Sequence, residues 1–219
     1  MSAAEWAALR AKARAGDAEA EWGVSDRYDE GCKDKTGRIL DRRSPQKALE
    51  WLRRAAEHRN ACAQNNLGVM LGNGDRIAKD TQQALLWLRR ACRGGNTGCA
   101  VVNLAITWRE IGNFRHAVAW FRKAAASGDG EALIQLGVHL YWGKGVRANP
   151  AAAVRCFRRA TKSSNISDSG RDDGYFYLGW AYLEGRGVKQ SGATAKKMFQ
   201  RANIDNDHLA AQRALKRIG

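Results

Sequence analysis

The apolar residues of this chain fall into blocks that recur at nearly constant spacing. Five segments share one pattern: Ala48-Leu-Glu-Trp51-Leu-Arg-Arg-Ala55, Ala84-Leu-Leu-Trp87-Leu-Arg-Arg-Ala91, Ala117-Val-Ala-Trp120-Phe-Arg-Lys-Ala124, Ala153-Val-Arg-Cys156-Phe-Arg-Arg-Ala160 and Ala195-Lys-Lys-Met198-Phe-Gln-Arg-Ala202. Their leading alanines stand 36, 33, 36 and 42 residues apart. Four residues before each alanine comes Ser44, Asp80, Asn113, Asn149 or Ser191, whose side-chain oxygen can accept an orphan N–H of a first helical turn. Both prolines of the chain, Pro45 and Pro150, follow two of these caps, where a missing N–H costs nothing. Each segment therefore predicts a helix, the second of a repeating pair (helix B).

A second series lies upstream of each segment. Small residues recur at Ser25, Gly68, Ala105, Gly137 and Gly179, with Ala20, Ala63, Ala100, Ala132 and Gly174 five positions earlier and Tyr28, Leu71, Trp108, Leu140 and Tyr182 three later. This spacing puts small and large residues on one helical face and predicts helix A, which the small positions let helix B approach closely. Gly143-Lys-Gly145-Val146 and Gly185-Arg-Gly187-Val188 join A to B, and Gly74-Asp-Arg-Ile77 is a worn copy. Glycine suits the left-handed residue that ends a helix. One such hairpin cannot bury both of its faces, so neighbouring hairpins are expected to stack into a solenoid.

The Ala…Leu-Gly…Tyr…Gly-x-Gly-Val…Ala…Trp…Arg-Ala-Ala pattern resembles the Sel-one-like repeat (SLR) family of the tetratricopeptide-like superfamily, over roughly residues 16–207. The resemblance implies an all-α, right-handed superhelix of five αα-hairpins. The expected division is a capping helix at 1–15, repeats at 16–59, 60–95, 96–128, 129–165 and 166–207, and a second cap at 208–219. Departures from the pattern carry their own expectations. Extra residues within Cys32–Arg43 predict a polar surface loop, the Ser/Asn/Asp/Gly-rich stretch Ser163–Asp172 predicts a mobile loop, and repeat 3 lacks the Gly-x-Gly turn.

Charge narrows the range of partners. The 219 residues carry 37 basic and 22 acidic groups, net +15, and only +2 of this falls within residues 1–59. Such a field attracts an acidic protein face, a nucleic acid or an anionic surface. No segment approaches the roughly 20 apolar residues that span a bilayer, and the first 15 lack a signal-peptide core, so a cytoplasmic location is expected. The five cysteines are then expected to be reduced. Cys92 and Cys99 flank the repeat 2–3 junction, which cysteine-rich relatives staple with disulfides; Cys156 fits the helix-B core column.

Chemical motifs are weak. Gly137 to Gly143-Lys144 is a poor phosphate loop, one residue too long and with Gly145 where Ser or Thr belongs; the repeat turn explains it. His58, His116, His139 and His208 are scattered, and no pair of them has metal-site spacing. No catalytic residue, cofactor or metal follows from these residues, and the chain is read as a non-enzyme.

Two surfaces remain. Arg54, Arg90, Lys123, Arg159 and Arg201 recur once per repeat and would form a basic ladder, either a polyanion strip or ordinary complements to helix C-termini. The resemblance places helix A on the concave groove. Its positions are Trp22, Asp26, Asp29 and Glu30 in repeat 1, include Arg109 in repeat 3, and turn large and apolar at the C-terminal end: Ile134, Val138, Tyr141 and Trp142 in repeat 4, Phe176 and Trp180 in repeat 5. Trp51, Trp87, Trp108 and Trp120 fit core columns, whereas Trp142 and Trp180 do not. The expected function is a protein-interaction scaffold or adaptor gripping a protein with an acidic surface. The alternatives are an immunity protein that occludes a cognate toxin, and nucleic-acid or polyanion binding through the ladder.

Overall fold

The computed structural model describes residues 1–95, 98–205 and 207–218. The expected start of the third repeat at residue 96 and the end of the last segment at 219 lie outside them. Helices follow one another along the chain: α1 (Ala3–Arg14), α2 (Ala18–Glu30), α3 (Pro45–Glu57), α4 (Ala61–Asn73), α5 (Thr81–Arg93), α6 (Cys99–Glu110), α7 (Phe114–Ala126), α8 (Gly130–Trp142), α9 (Pro150–Ala160), α10 (Asp168–Glu184), α11 (Gly192–Arg201) and α12 (Leu209–Ile218). They group into two compact units, Met1–Thr107 and Trp108–Gly219.

The helix starts form as their caps predict. Asp80, Asn113, Asn149 and Ser191 each accept the N–H three residues on, while Ser44 holds the cap position without a side-chain bond and relies on Pro45 at the first helical position. In the first unit α2 packs on α3 and α4 on α5; in the second α8 packs on α9 and α10 on α11. The small positions allow this. A Cβ on Gly68 would lie 2.7 Å from Leu88 Cγ, and one on Gly179 2.7 Å from Phe199 Cδ1. Where repeat 1 has Ser25 instead, the hydroxyl donates to Ala48 O at 2.7 Å.

The glycines of the A-to-B turn do two different jobs. Gly74, Gly143 and Gly185 are left-handed helix ends, with φ of 77, 72 and 69°. The second glycine is needed for proximity as well as for its own positive φ. A Cβ on Gly145 would stand 2.5 Å from Phe114 O, and one on Gly187 2.5 Å from Pro150 O. Each turn thus presses on the first residue of the preceding helix B.

Three expectations change. The stretch after Gly31 is a small antiparallel hairpin, not a polar loop: β1 (Cys32–Lys33) pairs with β2 (Ile39–Asp41), and Cys32 is buried. Asp34 closes its turn by accepting from Thr36 N and Arg38 N, and Tyr28 and Arg10 hold Asp41. The Ser163–Asp172 stretch is partly helix. Ser167 caps α10 by accepting from Gly170 N, and its hydroxyl donates to Glu131. The helix-B tryptophans are not core. Trp51, Trp87 and Trp120 are half-buried; the residue after each, Leu52, Leu88 and Phe121, is the buried one. The helix turns about 100° per residue, so adjacent side chains point in different directions, and in these three helices the second of the pair faces inward.

Candidate functional site

The groove residues expected in the second unit are built around one chain of rings. Trp142 meets Tyr141 edge-on with centroids 4.9 Å apart, and Tyr141 lies 6.5 Å from Phe157. Phe157 stacks on Tyr177 at 5.1 Å; Tyr177 meets Phe176 at 5.5 Å, and Phe176 meets Trp180 at 6.2 Å. Four of these rings were expected from helix-A positions. Phe157 and Tyr177, which join them, belong to the helix-B core column and to an adjacent helix-A position.

The structure separates these residues by accessibility. Ile134 is 1% and Tyr141 2% exposed. Ile134 Cδ1 sits over Gly174, so it fills the junction of two hairpins and offers a partner no surface. Tyr141 faces inward and its hydroxyl still finds a partner: it donates to Glu184 Oε2 at 2.7 Å, a carboxylate on the exposed side of α10. Burial, and then that hydrogen bond, push its phenol above the ordinary range. Phe176 and Trp180 are half-buried against Phe199, and Phe176 also packs on His208 just ahead of α12. Val138 is half-buried, and Arg109 donates to Gln135 Oε1 at 2.8 Å. Trp142 stands out at 49% exposed.

One residue absent from the sequence expectations completes the cluster. Arg186, the middle residue of Gly185-Arg-Gly187, places its guanidinium 4.6 Å from the Tyr141 ring and 5.5 Å from Trp142. It also donates to Tyr141 O at 3.0 Å. A cation over an indole face is worth about 0.5–1 kcal/mol at such a site and holds the ring in place. The signal was present as a basic side chain between two left-handed glycines, but nothing local shows where that side chain lands.

The basic column has a structural explanation of the same kind. Arg54, Arg90 and Lys123 lie over Trp51, Trp87 and Trp120 at 4.4, 4.7 and 5.1 Å, three residues apart on their own helices. Arg201 lies over Tyr175 at 5.5 Å, and Arg159 is exposed. Arg54 also pairs at 3.1 Å with Glu21, a fully buried carboxylate whose other oxygen meets His58 Nδ1 at 2.7 Å. Sequence reasoning missed that pair, because Glu21 sits beside core positions of an otherwise polar helix.

Among the described residues no group of three His, Cys, Asp or Glu side chains could hold a metal. Cys99 is an exposed free thiol, so no disulfide staples the junction marked by the Cys92–Cys99 spacing. No helix among the described residues is long and apolar enough to cross a membrane.

Comparison with known families decides the lineage. The Sel1 repeat model matches five times, at residues 36–60, 63–96, 110–129, 130–165 and 172–205, which is more than half of the chain. The chain belongs to the Sel1 repeat family. It shares that family's all-α, αα-hairpin solenoid fold. A protective antigen of uropathogenic Escherichia coli strains, displaying an SLR fold, is 27% identical with a TM-score of 0.78, the match covering 96% of this chain and 43% of the antigen. The chain thus spans less than half the antigen's length. A Sel1 repeat protein from Oxalobacter formigenes is 24% identical with a TM-score of 0.75, covering 93% of this chain and 76% of that one. Sel1 repeats generally mediate protein–protein interaction, and the scaffold is generally non-catalytic.

Proposed function

We propose that this Sel1 repeat protein is a cytoplasmic adaptor that docks an acidic protein surface on the edge of its second unit, with Trp142 as the anchor. The observation carrying this reading is Trp142 itself, the one aromatic ring among the large hydrophobic side chains left exposed by the described residues. Its ring is already immobilised by Tyr141 and Arg186, so binding costs little further side-chain entropy. Val138 lies one turn earlier on the same helix face and extends the apolar strip. Arg186 beneath the ring, with exposed Lys144 and Arg147 in the following turn, favours a partner carrying carboxylates. Ile134 and Tyr141 support the strip from inside, and Phe176 and Trp180 brace it against α11.

The test uses a partner purified on the wild-type protein. Trp142→Ala should weaken its affinity by roughly 30-fold or more, as a hot-spot aromatic does. Leu86→Ala, an exposed apolar position on α5, should leave affinity within about twofold. Unchanged circular dichroism would show that the fold is intact. A partner held equally well by Trp142→Ala overturns the reading.

A further inference from the structure

The first unit contains a cavity of about 630 Å³ where the ends of α3 and α5 meet the start of α4, lined by Glu57, Arg59, Gln64, Arg90, Arg93 and Gly94. Its volume is that of a small-molecule site, but its walls are polar and its charge is one-sided. Three arginines line it against one glutamate.

Arg59 is the informative residue. At the corners that lead from one hairpin into the next, the left-handed backbone position holds Gly16, Gly95 and Gly128, with φ of 89, 99 and 88°. In the first unit's middle corner the same conformation, φ 68°, is imposed on Arg59. A side chain there is strained where glycine would be free, and strain of this kind persists where the side chain has a use. Protein contacts do not supply one. Among the described residues Arg59 and Arg93 make no ion pair.

Complementing the end of α3 does not explain Arg59 either. The terminal carbonyls of α3 are already answered: Ala55 O accepts from Asn60 N at 2.9 Å, and Ala56 O from Arg59 N at 3.2 Å and Gln64 Nε2 at 3.0 Å. Gln64 is itself buried, and its second amide hydrogen has no partner among the described residues. Arg90 is pre-organised, its guanidinium lying 4.7 Å from the Trp87 ring centroid.

We propose that this cavity binds a phosphate monoester. Such a group carries nearly two negative charges and three acceptor oxygens, which suits a space lined by three arginines and a buried amide with a hydrogen to spare. The remaining volume leaves room for the organic part of the ester. This assignment is independent of the docking edge on the second unit and stands or falls without it.

Titration calorimetry on the full chain in low-salt, phosphate-free buffer tests it, with inorganic phosphate, adenosine monophosphate and phosphoserine as probes. Saturable one-to-one binding is expected. Arg59→Gly should weaken it by roughly tenfold while raising the melting temperature, and Arg93→Gln should weaken it similarly. Arg201→Gln, the same loss of charge at an exposed position in the second unit, should leave it within about twofold. Tighter binding of adenosine monophosphate identifies a free ester as the ligand, and tighter binding of phosphoserine a modified side chain. Either supports the assignment. No saturable binding up to about 10 mM, or an equal loss in Arg201→Gln, overturns it.

Discussion

Replacing Gly137 by alanine adds one methyl group at the tightest crossing of the second unit, and two effects of known size compete. In the middle of α8, alanine gains about 1 kcal/mol over glycine in helix propensity. The added Cβ would stand 2.7 Å from Phe157 Cδ1 and 3.0 Å from Cζ, with Cε1 nearer still. Phe157 cannot move aside: it is fully buried and stacked on Tyr177 at 5.1 Å. Overpacking a fixed core of this kind costs about 1–3 kcal/mol, so the net expectation is a loss of up to about 2 kcal/mol. Gly72 supplies the comparison, because it too is a buried helical glycine but its Cβ would meet Ala84 Cβ at 3.7 Å, an ordinary contact. Gly72→Ala should therefore stabilise by about 0.5–1 kcal/mol. Urea unfolding followed by circular dichroism measures both, provided the slope with denaturant stays constant. Combining Gly137→Ala with Phe157→Leu should recover about 1 kcal/mol as coupling between the two sites. If Gly137→Ala proves as stable as Gly72→Ala, the close-crossing argument fails.

Two further outcomes are expected. Glu21→Gln preserves shape but removes the charge that Arg54 and His58 share; both partners are half-exposed and can rehydrate, so the loss should be about 1–3 kcal/mol rather than that of a sealed pair, and an unchanged urea midpoint would contradict it. His139 is buried, and burial first, then the charges of Arg109 and Lys144, hold its pKa below 6.5, against the opposing pull of the Lys144 carbonyl. The unfolded imidazole therefore takes up a proton near 6.5 while the folded one does not, so stability present above that pH is lost as pH falls through it. The drop in urea midpoint between about pH 7.5 and pH 5.5 should be smaller in His139→Gln than in wild type; equal drops would refute the assignment.

Most of the fold was legible because its causes are local. Caps such as Asp80 and Asn149 act on N–H groups three residues away, and the small positions Gly68, Gly137 and Gly179 declare a crossing by their spacing alone. The site was less legible. Trp142 was correctly separated from the core columns, but Trp180 shares its pattern and lies braced against Phe199. Tyr141, beside Trp142 in sequence, is nearly sealed because Glu184 reaches its hydroxyl from another hairpin. The helix-B tryptophans were misplaced by one residue of helical turn, about 100°, since alternation between two adjacent large residues does not say which one faces inward.

The amino-acid order alone determined the repeat and the hairpin, which show in its periodic spacing, and the capped starts and left-handed ends, which depend on residues within one helical turn of each other. Tertiary packing decided which rings are covered, why Gly145 and Gly187 must lack a side chain, and where Arg59, Arg90 and Arg186 bring their charge. Those outcomes depend on distances between segments some 25 to 45 residues apart, and periodicity names a face without naming what lies against it.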